Sequence, residues 1–394
     1  MSTTINEIFN LDNWTPVGFD WIQSNLKKMD VDNTTHPLYT WQNDSKKLSP
    51  LTLYKLLKAR FGDPNGLIMY LKNRETTDNL IHWHYTFLIH GSEIHFLGQS
   101  RGIEIHIRIP NEVNFEKENW DLLINNIQSN YQIYKEQMKV VQKDFEKWTL
   151  FINPVTRLQD TLKELIKELR SLDIKEIKKL ELNPSDEIRA EYDKNFNQWI
   201  INTERAVTLG TTIRMLTPVL AESFVNLLIL LLSKNEFKQD KRLYENLIRQ
   251  QIDTRVKTLH LNCDGFLKPI DSEKDEFKRF QTLMNNRNDF LHGNIDPRKL
   301  MFEDIYFDKS FIPLFEEDEG IIAKTMKNYL TNVEREKALA DFTTVQEFIN
   351  FILGYLTKDN QDLIKRLLLT RMPGLNEKTN RIGILFSNKL AEMR

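Results

Sequence analysis

Between Ile81 and Ile109 the chain alternates apolar and polar side chains so regularly that this stretch has to be read as strand. Three runs, 81–90, 93–99 and 103–109, are separated by Gly91-Ser92 and Arg101-Gly102, each read as a two-residue hairpin loop. In that register Leu88 faces His95 and His95 faces Arg108. Parity then gathers Ile81, Trp83, Tyr85, Phe87, Ile89, Ile94, Phe96, Ile103, Ile105, Ile107 and Ile109 on one face, which must be covered by helices or a second sheet. The opposite face carries His82, His84, His90, Glu93, His95, Gln99, Glu104, His106 and Arg108. Zinc needs three or four ligands at one point. Here Leu97 falls opposite His106 and Arg108 opposite His95, so the histidines are scattered and neither a metal nor another cofactor is expected. The polar face is read either as a contact for a partner, for the second domain or for RNA, or as a plain solvent-facing sheet.

Two short helical stretches, near 16–29 and 49–61, precede the meander and complete an N-terminal α+β domain over 1–113. A helical connector, 114–205, follows, with amphipathic helices broken at Asn153-Pro154. Its stripe of Leu158, Leu162, Leu165, Ile166 and Leu169 either packs within the monomer or extends a dimer interface. The Lys- and Glu-rich stretch 175–193 reads as an exposed joint. From 206 to 394 the period is helical again, with helices over 216–232, 241–261, 277–291 and 345–356. Thr344 and Glu347 form a capping-box pair for the last of these. An insertion near 298–335 holds a short hairpin at 302–315 and an acidic run at 316–319. The fold class is therefore mainly α, a C-terminal helical bundle joined to an N-terminal α+β domain with a three-stranded antiparallel meander.

Composition narrows the function classes. Charged residues make up 28% and hydrophobic residues 40%, the balance of a folded domain protein. A net charge of −2, from 54 basic and 56 acidic residues, does not suit a protein that coats nucleic acid. A local basic cleft from Lys278, Arg279, Arg287, Arg298 and Lys299 remains compatible with RNA. One cysteine, Cys263, excludes an intramolecular disulfide. With no basic-then-apolar start, the chain is read as cytoplasmic. The apolar run 220–232 is shorter than the roughly 20 residues needed to cross a bilayer, so it is read as a bundle helix rather than a membrane span. Neither a P-loop nor a dinucleotide fingerprint is present.

The chemistry concentrates on 277–297. Phe277, Phe280, Met284, Arg287 and Leu291 step by 3, 4, 3 and 4, one helical face. Ser272 is read as its N-cap, and Gly293, Asn294 and Pro297 end it. Arg287 lies on the otherwise apolar seam, where a guanidinium needs an anionic side chain or an anionic ligand. His292 follows five residues on. The spacing Arg-x4-His also occurs at Arg101–His106 and Arg255–His260, but the first falls on a strand, and the second has Val256 after its arginine and no glycine after its histidine. On the most apolar helix, Glu222 and Asn226 stand one turn apart; they either satisfy hydrogen bonds inside the bundle, position Arg287 or contact RNA.

The cluster Arg287-Asn288-Asp289-Phe290-Leu291-His292 resembles the signature of HEPN-domain ribonucleases, a helical-bundle family of toxins and anti-phage factors. The resemblance covers 207–369. It implies a HEPN-like bundle and metal-independent endoribonuclease activity at a site completed by homodimerisation. His292 would move protons, Arg287 would hold the scissile phosphate, and Asn288 would orient the pair, with Glu222, Asn226 and Asp289 in support. RNA is then the substrate, and a regulatory protein or small-molecule trigger a further partner. The alternative is a catalytically inactive HEPN-like dimerisation and protein- or RNA-binding module.

Overall fold

The computed structural model describes residues 4–28, 36–42, 47–72, 79–99, 102–174, 184–291, 304–316, 324–325, 328 and 335–386. The protein is mainly α, 59% helical, with a five-stranded antiparallel sheet. Its contacts group into two units, 1–150 with 374–394, and 151–373. That division differs from the three segments expected from sequence: 114–205 splits at Phe151, and the C-terminal residues return to the first unit.

In the first unit, α1 (Ile5–Phe9), α2 (Phe19–Lys28), α3 (Pro50–Phe61), α4 (Ile68–Leu71), α5 (Asn119–Ile133) and α6 (Lys135–Lys143) accompany β1 (Thr15–Pro16), β2 (Leu38–Gln42), β3 (Ile81–Ile89), β4 (Ser92–Gln99) and β5 (Gly102–Arg108). Ser49 caps α3 ahead of Pro50, the residue whose fixed φ suits a first helical position. The strand order is β1-β3-β4-β5-β2. The apolar face predicted by parity is fully buried from Tyr85 to Ile109, against Ile8 and Phe9 of α1, Leu53, Leu56 and Leu57 of α3, and Leu123, Ile124 and Ile127 of α5.

The pairing within the meander differs from expectation by two residues. Ile89 pairs with Ser92, so the first loop is His90-Gly91, and both loop residues have positive φ (47° and 80°), as a type I′ turn requires. Thr86 therefore faces His95, and His95 faces His106 instead of Arg108. Two edge strands, β1 and β2, were not expected from sequence. Thr149–Leu150, Gly374–Asn376 and Arg381–Gly383 form a small separate sheet.

The second unit is built from α7 (Pro154–Ser171), α8 (Asp186–Leu232), α9 (Asn235–Gln239), α10 (Lys241–Arg249), α11 (Ile252–Lys257), α12 (Leu259–Asn262), α13 (Asp275–Leu291), α14 (Arg335–Leu353) and α15 (Lys358–Leu367). Asn153 caps α7, and the stripe Leu162, Ile166 and Leu169 packs into this unit's own core, with Leu158 and Leu165 partly buried beside it. The helix expected over 216–232 is the C-terminal part of α8, which runs for 47 residues. By length and composition alone α8 is apolar enough to cross a membrane, and 56% of its apolar window is buried within the chain. The helix expected over 241–261 is broken into α10, α11 and α12, and the one expected at 345–356 starts at Arg335. Thr344 thus lies inside α14 and caps nothing, while Glu347 pairs with Arg279 of α13 at 2.9 Å. Phe280 and Phe348 stack with ring centroids 3.9 Å apart, joining α13 to α14. The expected hairpin is present as Ile305–Phe307 paired with Pro313–Phe315.

Candidate functional site

Helix α13 starts at Asp275, three residues after the expected cap Ser272, because the first helical hydrogen bonds accept at the Lys274 carbonyl. Asp275 and Glu276 fill the first turn, where carboxylates oppose the helix dipole. The seam holds through Phe277, Phe280 and Met284, all buried. It fails at Leu291, which is 54% exposed, so Arg287 is the last seam position to face the bundle.

Arg287 meets an acid there. Its Nη1 donates to Oε2 of Glu222 across 3.1 Å, while Nε and Nη2 donate to Oδ1 of the neighbouring Asn288 at 3.3 and 3.0 Å. The guanidinium is held from two sides, and the Arg287 side chain is still 17% exposed. Asn288 and Asp289 are exposed. His292, like Arg298 and Lys299, lies outside the described residues.

The second oxygen of Glu222 binds a residue that the sequence argument set aside. Arg255 of α11 donates to Oε1 of Glu222 through Nη2 and to Oδ1 of Asn226 through Nη1, and is only 4% exposed. Glu222 and Asn226 share a face, as their spacing implies, but Asn226 serves Arg255 and not Arg287. Burial, the largest single influence, pushes the Glu222 carboxyl upward; the hydrogen bonds and charges of Arg255 and then Arg287 outweigh it and hold the group below the usual carboxylate range. The sequence did carry a signal for Arg255. With Ile252, Val256 and Leu259 it falls on an i, i+3, i+4, i+7 stripe, the same reasoning that singled out Arg287. The identity of Val256 was the wrong criterion, since that side chain is simply buried core.

The remaining described members of the basic cluster are neutralised. Lys278 pairs with Glu273 at 3.2 Å, and Arg279 with Glu347.

On the sheet's polar face the corrected register brings histidines together. Nε2 of His84 lies 3.2 Å from Nδ1 of His95, and the Thr86 hydroxyl sits 3.2 and 3.0 Å from those same nitrogens. The Ile68 amide donates to Nδ1 of His84 at 3.4 Å, which leaves the ring proton on Nε2, turned toward Thr86 and His95. His95 Nε2 approaches Glu93 at 3.5 Å, and His106 approaches Glu104 at 3.4 Å. Burial, then the charges of His95 and His106, push His84 down to about 3, so it is neutral near pH 7. The scatter expected from sequence is therefore corrected to a hydrogen-bonded cluster. Among the described residues no three His, Cys, Asp or Glu side chains converge to hold a metal ion.

Compared with known protein families, with curated proteins and with solved structures, the chain matches none.

Proposed function

We propose that the helical unit is a HEPN-like bundle acting as a metal-independent endoribonuclease in a cytoplasmic homodimer, with the N-terminal α+β unit sensing, targeting or restraining it. A toxin or anti-phage role follows from the family resemblance. One observation carries the reading: Arg287 is held by Glu222 and Asn288 at the end of a buried seam, partly exposed and five residues before His292 in the sequence. A guanidinium fork matches phosphate oxygens, and an imidazole exchanges protons near neutral pH. In this scheme the ribose 2′-oxygen attacks phosphorus and the bond to the 5′-oxygen breaks. His292 serves in the proton transfers from the 2′-hydroxyl and to the leaving oxygen. Arg287 stabilises the extra charge on the phosphorane. The products are a 2′,3′-cyclic phosphate and a 5′-hydroxyl.

A second reading is favoured by the carboxylates paired with Lys278, Arg279 and Arg287, a pattern that suits a catalytically silent dimerisation and binding module. Labelled transfer RNA and single-stranded RNA incubated in EDTA with wild type, Arg287→Ala and His292→Ala separate the two. Cleavage that leaves cyclic phosphate ends and vanishes in both variants supports the enzyme. Cleavage equal in all three proteins supports the silent module.

A further inference from the structure

The Arg255–Glu222–Arg287 arrangement contains two guanidiniums and a single carboxylate. One oxygen of Glu222 binds each arginine, so the carboxylate is shared and one positive charge is left over. The two arginines differ in where that charge is felt. The Arg255 side chain is 5% exposed, with Nη1 and Nη2 engaged by Asn226 and Glu222. The Arg287 side chain is 17% exposed, and among the described residues it donates, apart from Glu222, only to the neutral amide oxygen of Asn288. An anion arriving from solvent therefore meets the surplus charge at Arg287, where a phosphate oxygen can replace the Asn288 acceptor.

We propose that Arg255 is a positioning residue for the site: by occupying one oxygen of Glu222 it lets that carboxylate orient Arg287 without cancelling its charge. The inference rests on the nuclease reading for the identity of the anion, an RNA phosphodiester. A Glu222–Arg287 pair standing alone would be net neutral, and the phosphodiester would then pay the desolvation of an ion pair with no net attraction in return.

Charge counting gives this proposal a test that a merely structural role would not pass. Binding of a 2′-O-methyl RNA octamer, which cannot form the cyclic product, is measured by fluorescence anisotropy at fixed ionic strength. Arg255→Met should weaken binding by about tenfold, comparable to Arg287→Met, as expected when one charge of a partly buried network is lost. Adding Glu222→Gln to Arg255→Met removes the carboxylate that now cancels the Arg287 charge, restores one surplus positive charge and should return binding to within a few-fold of wild type. Arg255→Lys, which keeps the charge, should stay close to wild type. Glu222→Gln alone raises the surplus to two charges while freeing Arg287, so on cleavable RNA KM should fall and kcat should fall with it. Binding by Arg255→Met equal to wild type, or no recovery in the double variant, would overturn the proposal. If Arg255→Met does not fold, the KM-against-kcat split of Glu222→Gln decides: KM unchanged or raised overturns the proposal. The charge-dependent binding pattern without cleavage of any RNA leaves Arg255 in its role and removes the nuclease reading. Cleavage that needs Arg287 and His292 but is indifferent to Arg255→Met does the reverse. Octamer binding that ignores Arg287 removes both.

Discussion

Arg287 and Glu222, 65 residues apart in the chain, meet across 3.1 Å between α13 and α8. Because the pair draws in Arg255 as well, the Glu222 carboxyl titrates below its ordinary range. A depressed folded-state pKa contributes stability that is complete above the unfolded value, near 4.5, and is lost as pH falls through the folded value. Glu222→Gln should therefore cost about 1–3 kcal/mol at pH 7, with the difference from wild type shrinking below pH 4. Urea unfolding at pH 7 and at pH 3.5 checks this; an equal difference at both values would exclude the titration.

His84 gives the first unit a separate acid sensitivity. Its pKa is about 3 in the folded chain against 6.5 for the free side chain, so the unfolded chain binds the extra proton over that whole interval. Stability is thus complete above about pH 6.5 and declines toward pH 3, by about 2 kcal/mol at pH 5. His84→Gln should flatten this slope between pH 7 and pH 5. Thermal melts at both pH values measure it, and a slope like that of wild type would assign the effect to other groups.

Gly66 seats His84 by leaving space for its ring. A Cβ built at Gly66 falls 2.3 Å from Cγ of His84, while the Gly66 amide donates to the His84 carbonyl at 2.8 Å. Gly66→Ala should destabilise by about 1–3 kcal/mol through overpacking. In the His84→Ala background the same substitution should cost much less, which a double-mutant cycle reads directly.

Phe311 presents the opposite case. It has φ +60° and is 85% exposed at the end of a hairpin loop in which Asp308 accepts from the Ser310 and Ile312 amides. The left-handed conformation costs a side chain about 1–2 kcal/mol, and burial returns nothing at this position. Phe311→Gly should therefore preserve or raise stability and slow amide exchange at Asp308 and Ile312. Faster exchange at those amides would show that the aromatic ring stabilises the loop.

The amino-acid order alone determined which faces are buried. Strand parity placed Tyr85, Phe87, Ile105 and Ile107 inside correctly, and it did so although the register was wrong by two residues, because a slide of two preserves parity. The seam through Phe277, Phe280 and Met284, the helical stretch that starts beside Ser49 and the helix break at Asn153-Pro154 were legible for the same reason: each depends on neighbours within one or two turns, although the caps read at Ser272 and Thr344 were misplaced. Pairing was not legible. Which side chains meet His95 on the sheet depended on where the two turns fell: moving the first loop to His90-Gly91 replaced Leu88 by Thr86, and pairing Gln99 with Gly102 across the second turn replaced Arg108 by His106. Likewise sequence required that Arg287 find an anion, but only the packing of α8, α11 and α13 determined that Glu222 is that anion and that Arg255 shares it. A buried charge fixes the need for a partner locally, whereas the partner's identity is set by long-range contacts between helices far apart in the chain.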